Sequence, residues 1–165
     1  NMKNVFLLFF FCCYNASFAQ NNDAIPEEKV KVNNTIELGY TIGQVNALLG
    51  APSAIKDYYS EIDDEIWKEY SYNGNFFYFS NGQLIGFELK NNLFYFYNSG
   101  LKVGTNINSI SNIFPNSYRE REELSDNFGY LIINIALPDG NISDQFISIQ
   151  YFPSGIITSI STASY

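Results

Sequence analysis

Glu61-Ile62-Asp63-Asp64-Glu65 is the densest group of side chains in this chain that could do chemistry. Two carboxylates facing each other across a cleft could hydrolyse a glycoside, at about 5 Å in a retaining site or about 6.5–9.5 Å in an inverting one. The run could instead hold calcium, but it lacks the alternating ligands and central glycine of an EF-hand loop. It therefore reads as a solvated acidic loop ahead of a strand, and Glu120-Arg121-Glu122-Glu123 as a second solvated charge run. Other chemistries lack their side chains. The 165 residues contain no His and 2 Cys, so Ser-His-Asp and Cys-His arrangements are impossible. Gly39, Gly43 and Gly50 are too sparse for a phosphate cradle, and helix start and stop account for Gly39 and Gly50. The sequence implies no cofactor, no metal and no enzyme.

Aromatic side chains are the better candidates for a site, and make up 18% of the residues. Strand alternation decides which of them face outward. Ile147, Ile149 and Tyr151 share one phase, Ser148 and Gln150 the other. Phe77-Tyr78-Phe79-Ser80-Asn81-Gly82 echoes Gln150-Tyr151-Phe152-Pro153-Ser154-Gly155. That alignment puts Phe76 and Tyr78 in the core and turns Phe77 and Phe79 outward. Trp67 is in phase with Glu69 and Ser71, Tyr130 with Asn134, and Tyr95 and Tyr97 alternate with Phe94 and Phe96. Trp67, Phe77, Phe79, Tyr95 and Tyr130 are thus the expected partner-binding residues. Exposed aromatics on neighbouring strands mark partner surfaces, and each such anchor is worth about 2 kcal/mol or more.

The N-terminus reads as a secretory leader. Met2-Lys3-Asn4 is a short positive region, Val5 to Cys13 an apolar run, and Ala16-Ser17-Phe18-Ala19 a small-residue cleavage site, giving a signal peptide over residues 1–19. The run is too short to span a membrane, which takes about 20 apolar residues. Phe9-Phe10-Phe11 before the cysteines does not fit a lipobox, so a lipid anchor is not expected. The product is secreted or periplasmic. Cys12 and Cys13 leave with the leader, so the mature chain has no thiol for a disulfide. From Gln20 it has 8 basic and 17 acidic residues, a net charge of −9. Such a chain repels nucleic acid and anionic membranes, and implies no stable membrane insertion.

The elements that must position these residues follow from two similar segments. Leu38 to Gly50 aligns without a gap on Val103 to Pro115, with a glycine, a capping residue, apolar residues at helical spacing and a breaker in each. In the first, Thr41 and Gln44 form a capping box, and Ile42, Val45, Leu48 and Leu49 share a face. In the second, Asn106 is the cap and Ile107, Ile110, Ile113 and Phe114 the face. The first helix precedes expected strands at 65–72, 75–80 and 83–90, turned at Asn73-Gly74 and Asn81-Gly82. The second precedes strands at 129–137, 145–152 and 156–162, turned at Asp139-Gly140 and Ser154-Gly155. A strand at 94–97 joins the halves, and 54–60 and 118–123 read as edge strands or irregular. The result is an α+β domain of two tandem repeats, residues 32–92 and 93–165. Each is a helix followed by a three- or four-stranded antiparallel meander, with the helices packed on one face of the sheet. Residues 20–31, polar and carrying Pro26, form a flexible lead.

Gly39-x-Thr41-x-x-Gln44-Val45-x-x-Leu48-Leu49-Gly50-x-Pro52, with Asn81-Gly82-Gln83-Leu84 after it, resembles the SmpA/OmlA (BamE-like) module of bacterial outer-membrane assembly lipoproteins. Two modules in series are similar to the architecture of β-lactamase-inhibitory proteins, which present a concave sheet to a partner enzyme. The resemblance implies a non-catalytic protein-binding module: an inhibitor, an immunity-type partner or an envelope-assembly factor. A carbohydrate or small-ligand binder is the alternative, because rings on a sheet also stack on sugars. A carboxylate-dependent hydrolase is third.

Overall fold

A computed structural model describes residues 23–61, 63–97, 100–123 and 127–164. The expected leader lies outside them. The described chain is predominantly β. β4 (Ala54–Ser60), β5 (Glu65–Tyr72), β6 (Asn75–Ser80) and β7 (Gln83–Leu89) form an antiparallel meander. β9 (Gly129–Ala136), β10 (Ile142–Tyr151) and β11 (Ile157–Ser164) form a second. β7 pairs with β11 and fuses the two into one sheet, which with β1 (Ala24–Pro26) runs in the order β1-β9-β10-β11-β7-β6-β5-β4. β8 (Glu122–Glu123) adds a short antiparallel strand on β9, and β1 pairs with β9 in parallel, which makes the nine-stranded sheet mixed. β2 (Lys31–Val32) and β3 (Ile36–Glu37) form a separate ribbon.

This overturns the expected α+β class of tandem helix-and-meander repeats with helices layered on the sheet. Among the described residues only α1 (Ile42–Leu49) and the five-residue α2 (Pro115–Arg119) are α-helical. α1 has the expected capping box: Thr41 N–H donates to Gln44 Oε1 (2.8 Å), and Gln44 N–H to Thr41 Oγ1 (3.3 Å). The segment after Asn106 makes only a 3-10 turn over Ile107–Ile110. Its composition explains the failure. β-Branched, Ser and Asn residues are weak helix formers, and here their side chains compete for the backbone. Ser109 Oγ donates to Asn106 O and Ser111 Oγ to Asn108 O, while Pro115 starts a new helix because it has no N–H to continue the old one.

With so little helix, loops close the core. The buried face of the sheet presents Phe77, Phe79, Phe87, Leu131, Ile133, Ile147 and Ile149. Phe94, Phe96, Leu101, Ile107, Ile110 and Phe114 from the connections cover it, and α1 adds only Val45 as a fully buried residue. Residues 23–31 are not a flexible lead: β1 extends the sheet and Val30 joins the buried core. Ile25 sits opposite Ile135 in the sheet, and Ile25 and Val30 are buried. Residues 94–97 form no strand; Phe96 makes isolated bridges to Val32 and Leu101. The two similar segments do dock on their hairpins by matching bonds. Gly39 N–H donates to Leu84 O (2.7 Å) and Gly104 N–H to Ile157 O (2.8 Å); Ile42 N–H donates to Gly82 O and Ile107 N–H to Gly155 O.

The turns set the register. Asn73-Gly74 and Asn81-Gly82 have positive φ at both positions, the two-residue form that matches strand twist. Between β10 and β11 the loop is one residue longer. Phe152 N–H donates to Ile156 O across Pro153-Ser154-Gly155. Asn75, buried at the start of β6, locks the hairpin end: its Oδ1 accepts Lys90 N–H (2.9 Å) and its Nδ2 donates to Asn91 Oδ1 (2.9 Å). Among the described residues no helix is long and apolar enough to cross a membrane.

The packing yields a direct test. Replacing Phe77, wholly buried among Tyr72 and Phe94 rings, with Ala should lower the unfolding free energy by about 3–5 kcal/mol in urea melts. Phe152→Ala, on a ring 52% exposed, should cost no more than about 0.5 kcal/mol. Similar losses for both would mean that the assigned faces are wrong.

Candidate functional site

The open face of the sheet gathers three rings at the end of β4, β5 and β6. Tyr58 stands directly across from Trp67, and Tyr78 across from Glu69 on the next strand. Ring centroids are 5.8 Å apart for Tyr58–Trp67, 5.2 Å for Tyr58–Tyr78 and 6.3 Å for Trp67–Tyr78. The Tyr58 and Trp67 planes stack at 27°, and Tyr78 tilts against both. Side chains of alternate residues on paired strands meet in this way, and such aromatic contacts hold the rings in place.

These rings wall a groove of about 480 Å³. The groove exists because β7 and β11 pair at only two positions, Leu89 with Ile160 and Glu88 with Ser161, and then separate. Thr162 caps the opened edge, its Oγ1 accepting Phe87 N–H at 3.0 Å. A Cβ at Gly86 would collide with that hydroxyl, so the crossing needs glycine. Gln145 Nε2 reaches from β10 to Ile85 O (3.3 Å) and closes the far end. Glu61, Asp63 and Glu88 bring carboxylates to the lining. Asp63 Oδ2 accepts Ser60 Oγ–H (2.8 Å), and Glu88 Oε2 lies 3.5 Å from the Tyr78 hydroxyl. Burial, reinforced by the charges of Glu88 and Glu69, keeps the Tyr78 phenol protonated well above the ordinary tyrosine range.

Of the five residues expected at a binding surface, Trp67 lies in this wall. Phe77 and Phe79 do not face outward; they are 0% and 1% exposed, in the core. The error is one residue of register. Matching the turn glycines Gly82 and Gly155 ignores the extra residue in the second loop, and a one-residue slip exchanges the two faces of a strand. Pairing Ser80 with Phe152 instead restores the match and places Phe76 and Tyr78 on the open face, not in the core. Tyr95 lies in the connection after β7, under the Lys102 ammonium at 5.6 Å. Tyr130 is on the open face but at the other end of the sheet, its hydroxyl donating to Glu122 Oε2 (2.9 Å). The structure therefore does not assemble the five into one patch. Tyr58, Tyr78 and Glu88 were missed, and loop length was the signal that could have placed Tyr78.

Glu61, Asp63, Asp64 and Glu65 lie at the tip of the β4–β5 hairpin. Tyr59 Oη donates to Asp64 Oδ1 and Ser80 Oγ to Glu65 Oε2, so these carboxylates organise the turn. Among the described residues no three His, Cys, Asp or Glu come together to hold a metal ion. No family model, curated protein or solved structure matches the chain.

The Tyr78 environment makes stability depend on alkaline pH. The folded state keeps this phenol protonated where an unfolded tyrosine ionises, near pH 10, so above that pH the unfolded state is favoured by proton loss. Its contribution is complete below pH 10 and is lost as pH rises. Chemical melts between pH 9 and 11 should show a steeper loss for wild type than for Tyr78→Phe; parallel losses would contradict the assigned environment.

Proposed function

We propose that this is an exported, non-catalytic binding protein that engages a protein partner through the β4–β5 hairpin. One observation carries the reading: the hairpin is exposed, presents large apolar side chains on both faces and carries a free strand edge. Tyr58 and Trp67 occupy the open face, while Ile55, Tyr59 and Ile66 project from the other at 55%, 55% and 68% exposure. β4 ends the sheet, and its outer edge has no strand partner among the described residues. A seven-residue edge of this kind is a template for an added strand, and side chains on both faces give it specificity. The two charges of β4 are balanced inside the hairpin, with Lys56 across from Glu69 and Asp57 ion-paired to Lys68. The resemblance of Gly39–Pro52 to BamE-like modules points the same way, and the pattern of residues 2–19 supports export.

The groove favours a second reading, a small-ligand or carbohydrate binder. It is concave, aromatic on one wall and polar on its rim, and its volume lies in the range of ordinary ligand sites. The carboxylate hydrolase gains no comparable support, since Asp63, Asp64 and Glu65 bond within their own hairpin or to its neighbour.

Affinity capture from the native envelope and culture fluid tests the first reading, with the chain from Gln20 beside a Tyr59→Ser/Ile66→Ser variant of verified fold. A protein partner held by wild type should be lost by the variant, with purified components repeating a drop of about tenfold or more in affinity. Equal retention by both would remove the hairpin as the contact.

A further inference from the structure

The charge of the groove narrows what it can hold. Its lining contributes three carboxylates, Glu61, Asp63 and Glu88, and no Lys or Arg. Glu88 already carries its own counter-charge, Lys90 Nζ at 3.1 Å from its Oε1 over the Phe76 ring, which leaves Glu61 and Asp63 as the lining carboxylates without an ion pair among the described residues. An anionic ligand would meet negative charge without a counter-charge. A neutral ligand would gain the contact with the rings and hydrogen bonds to rim groups such as Ser60, Gln145 and Ser161, but nothing from the charge. A cation gains from both, because the faces of Trp and Tyr carry negative potential and attract ammonium groups within about 6 Å.

The three rings stand too close to one another to enclose an ion between them, at 5.2–6.3 Å between centroids. They form a wall, and the carboxylates lie along the same groove. A compact ion with a firm hydration shell matches this poorly. An ammonium carrying hydrocarbon substituents matches it well, because its methylenes can lie against Trp67 and Tyr58 while its charge faces Glu61 and Asp63. The protein's acidity, a net charge of −8 over the whole sequence, draws such ligands toward it.

We propose that the groove beside Trp67 is a binding site for an organic ammonium group. The inference rests on the ligand reading of the groove, and goes beyond it in excluding neutral sugars and anions as the preferred class. The ammonium could belong to a small free amine or to a lysine side chain of a polypeptide; the recognition chemistry is the same.

The chain reports on this site itself, because Trp67 is its one tryptophan. Its fluorescence is titrated with choline, with the neutral isostere 3,3-dimethylbutanol and with a disaccharide, at fixed ionic strength. Choline should saturate and bind about tenfold tighter than the isostere, and Glu61→Gln or Tyr58→Leu should weaken it by about fivefold or more with the melting temperature preserved. A trilysine peptide binding tighter than choline assigns the ammonium to a polypeptide, and the reverse order to a free amine; either supports the proposal. Equal binding of choline and its isostere overturns the cation preference. Saturation by the disaccharide without response to choline overturns it too, but leaves the ligand groove standing. No response to any probe removes both.

Discussion

The molecule depends on how β7 meets β11. Two residue pairs join the meanders, and beyond them the strands part. A backbone N–H left facing such a gap is costly unless something accepts its bond. Thr162 supplies that acceptor for Phe87, and Gly86 leaves space for its hydroxyl. The same substitution of side chain for backbone both preserves one continuous sheet and opens a groove on it. Continuous pairing along the whole of β7 and β11 would leave no such opening.

From this seam the two faces of the sheet take different fates. One is covered by connections that bring Phe94, Phe96, Ile107, Ile110 and Phe114 over it, with β1 completing the far side. Irregular segments can do this because their polar backbone is satisfied at defined points, such as Gly39 N–H on Leu84 O and Gly104 N–H on Ile157 O. The other face stays open, and its largest side chains collect where the β4–β5 hairpin runs past the covered core. Past that limit even residues of core phase, Ile66 and Tyr59, are exposed. The hairpin surface therefore originates in a sheet longer than the core beneath it, and the groove in the seam between β7 and β11.

Much of the local structure was legible in the sequence. Asn-Gly pairs placed the turns at 73–74 and 81–82, and the capping box started α1 at Ile42. The fold class was not legible, because helical spacing at Ile107, Ile110 and Phe114 describes a face without describing a helix. Buried 3-10 turns and loops can carry the same spacing, and the Ser and Asn residues between them decided for the loop. The site was half legible. Trp67 was placed by its polar neighbours in phase, Glu69 and Ser71, whereas Phe77, Phe79 and Tyr78 were inverted by one uncounted loop residue. The β7–β11 contact, between strands more than 60 residues apart, leaves no local signature, so neither the single sheet nor the groove could be read in advance.

Amide hydrogen exchange at Phe87, in wild type and in Thr162→Val, tests the seam most directly. Valine keeps the shape and removes the acceptor. The account predicts slow exchange of the Phe87 amide in wild type and exchange about tenfold or more faster in the variant, with core amides of β6 and β10 little changed. Rapid exchange at Phe87 in wild type, or the same protection in both proteins, would contradict it.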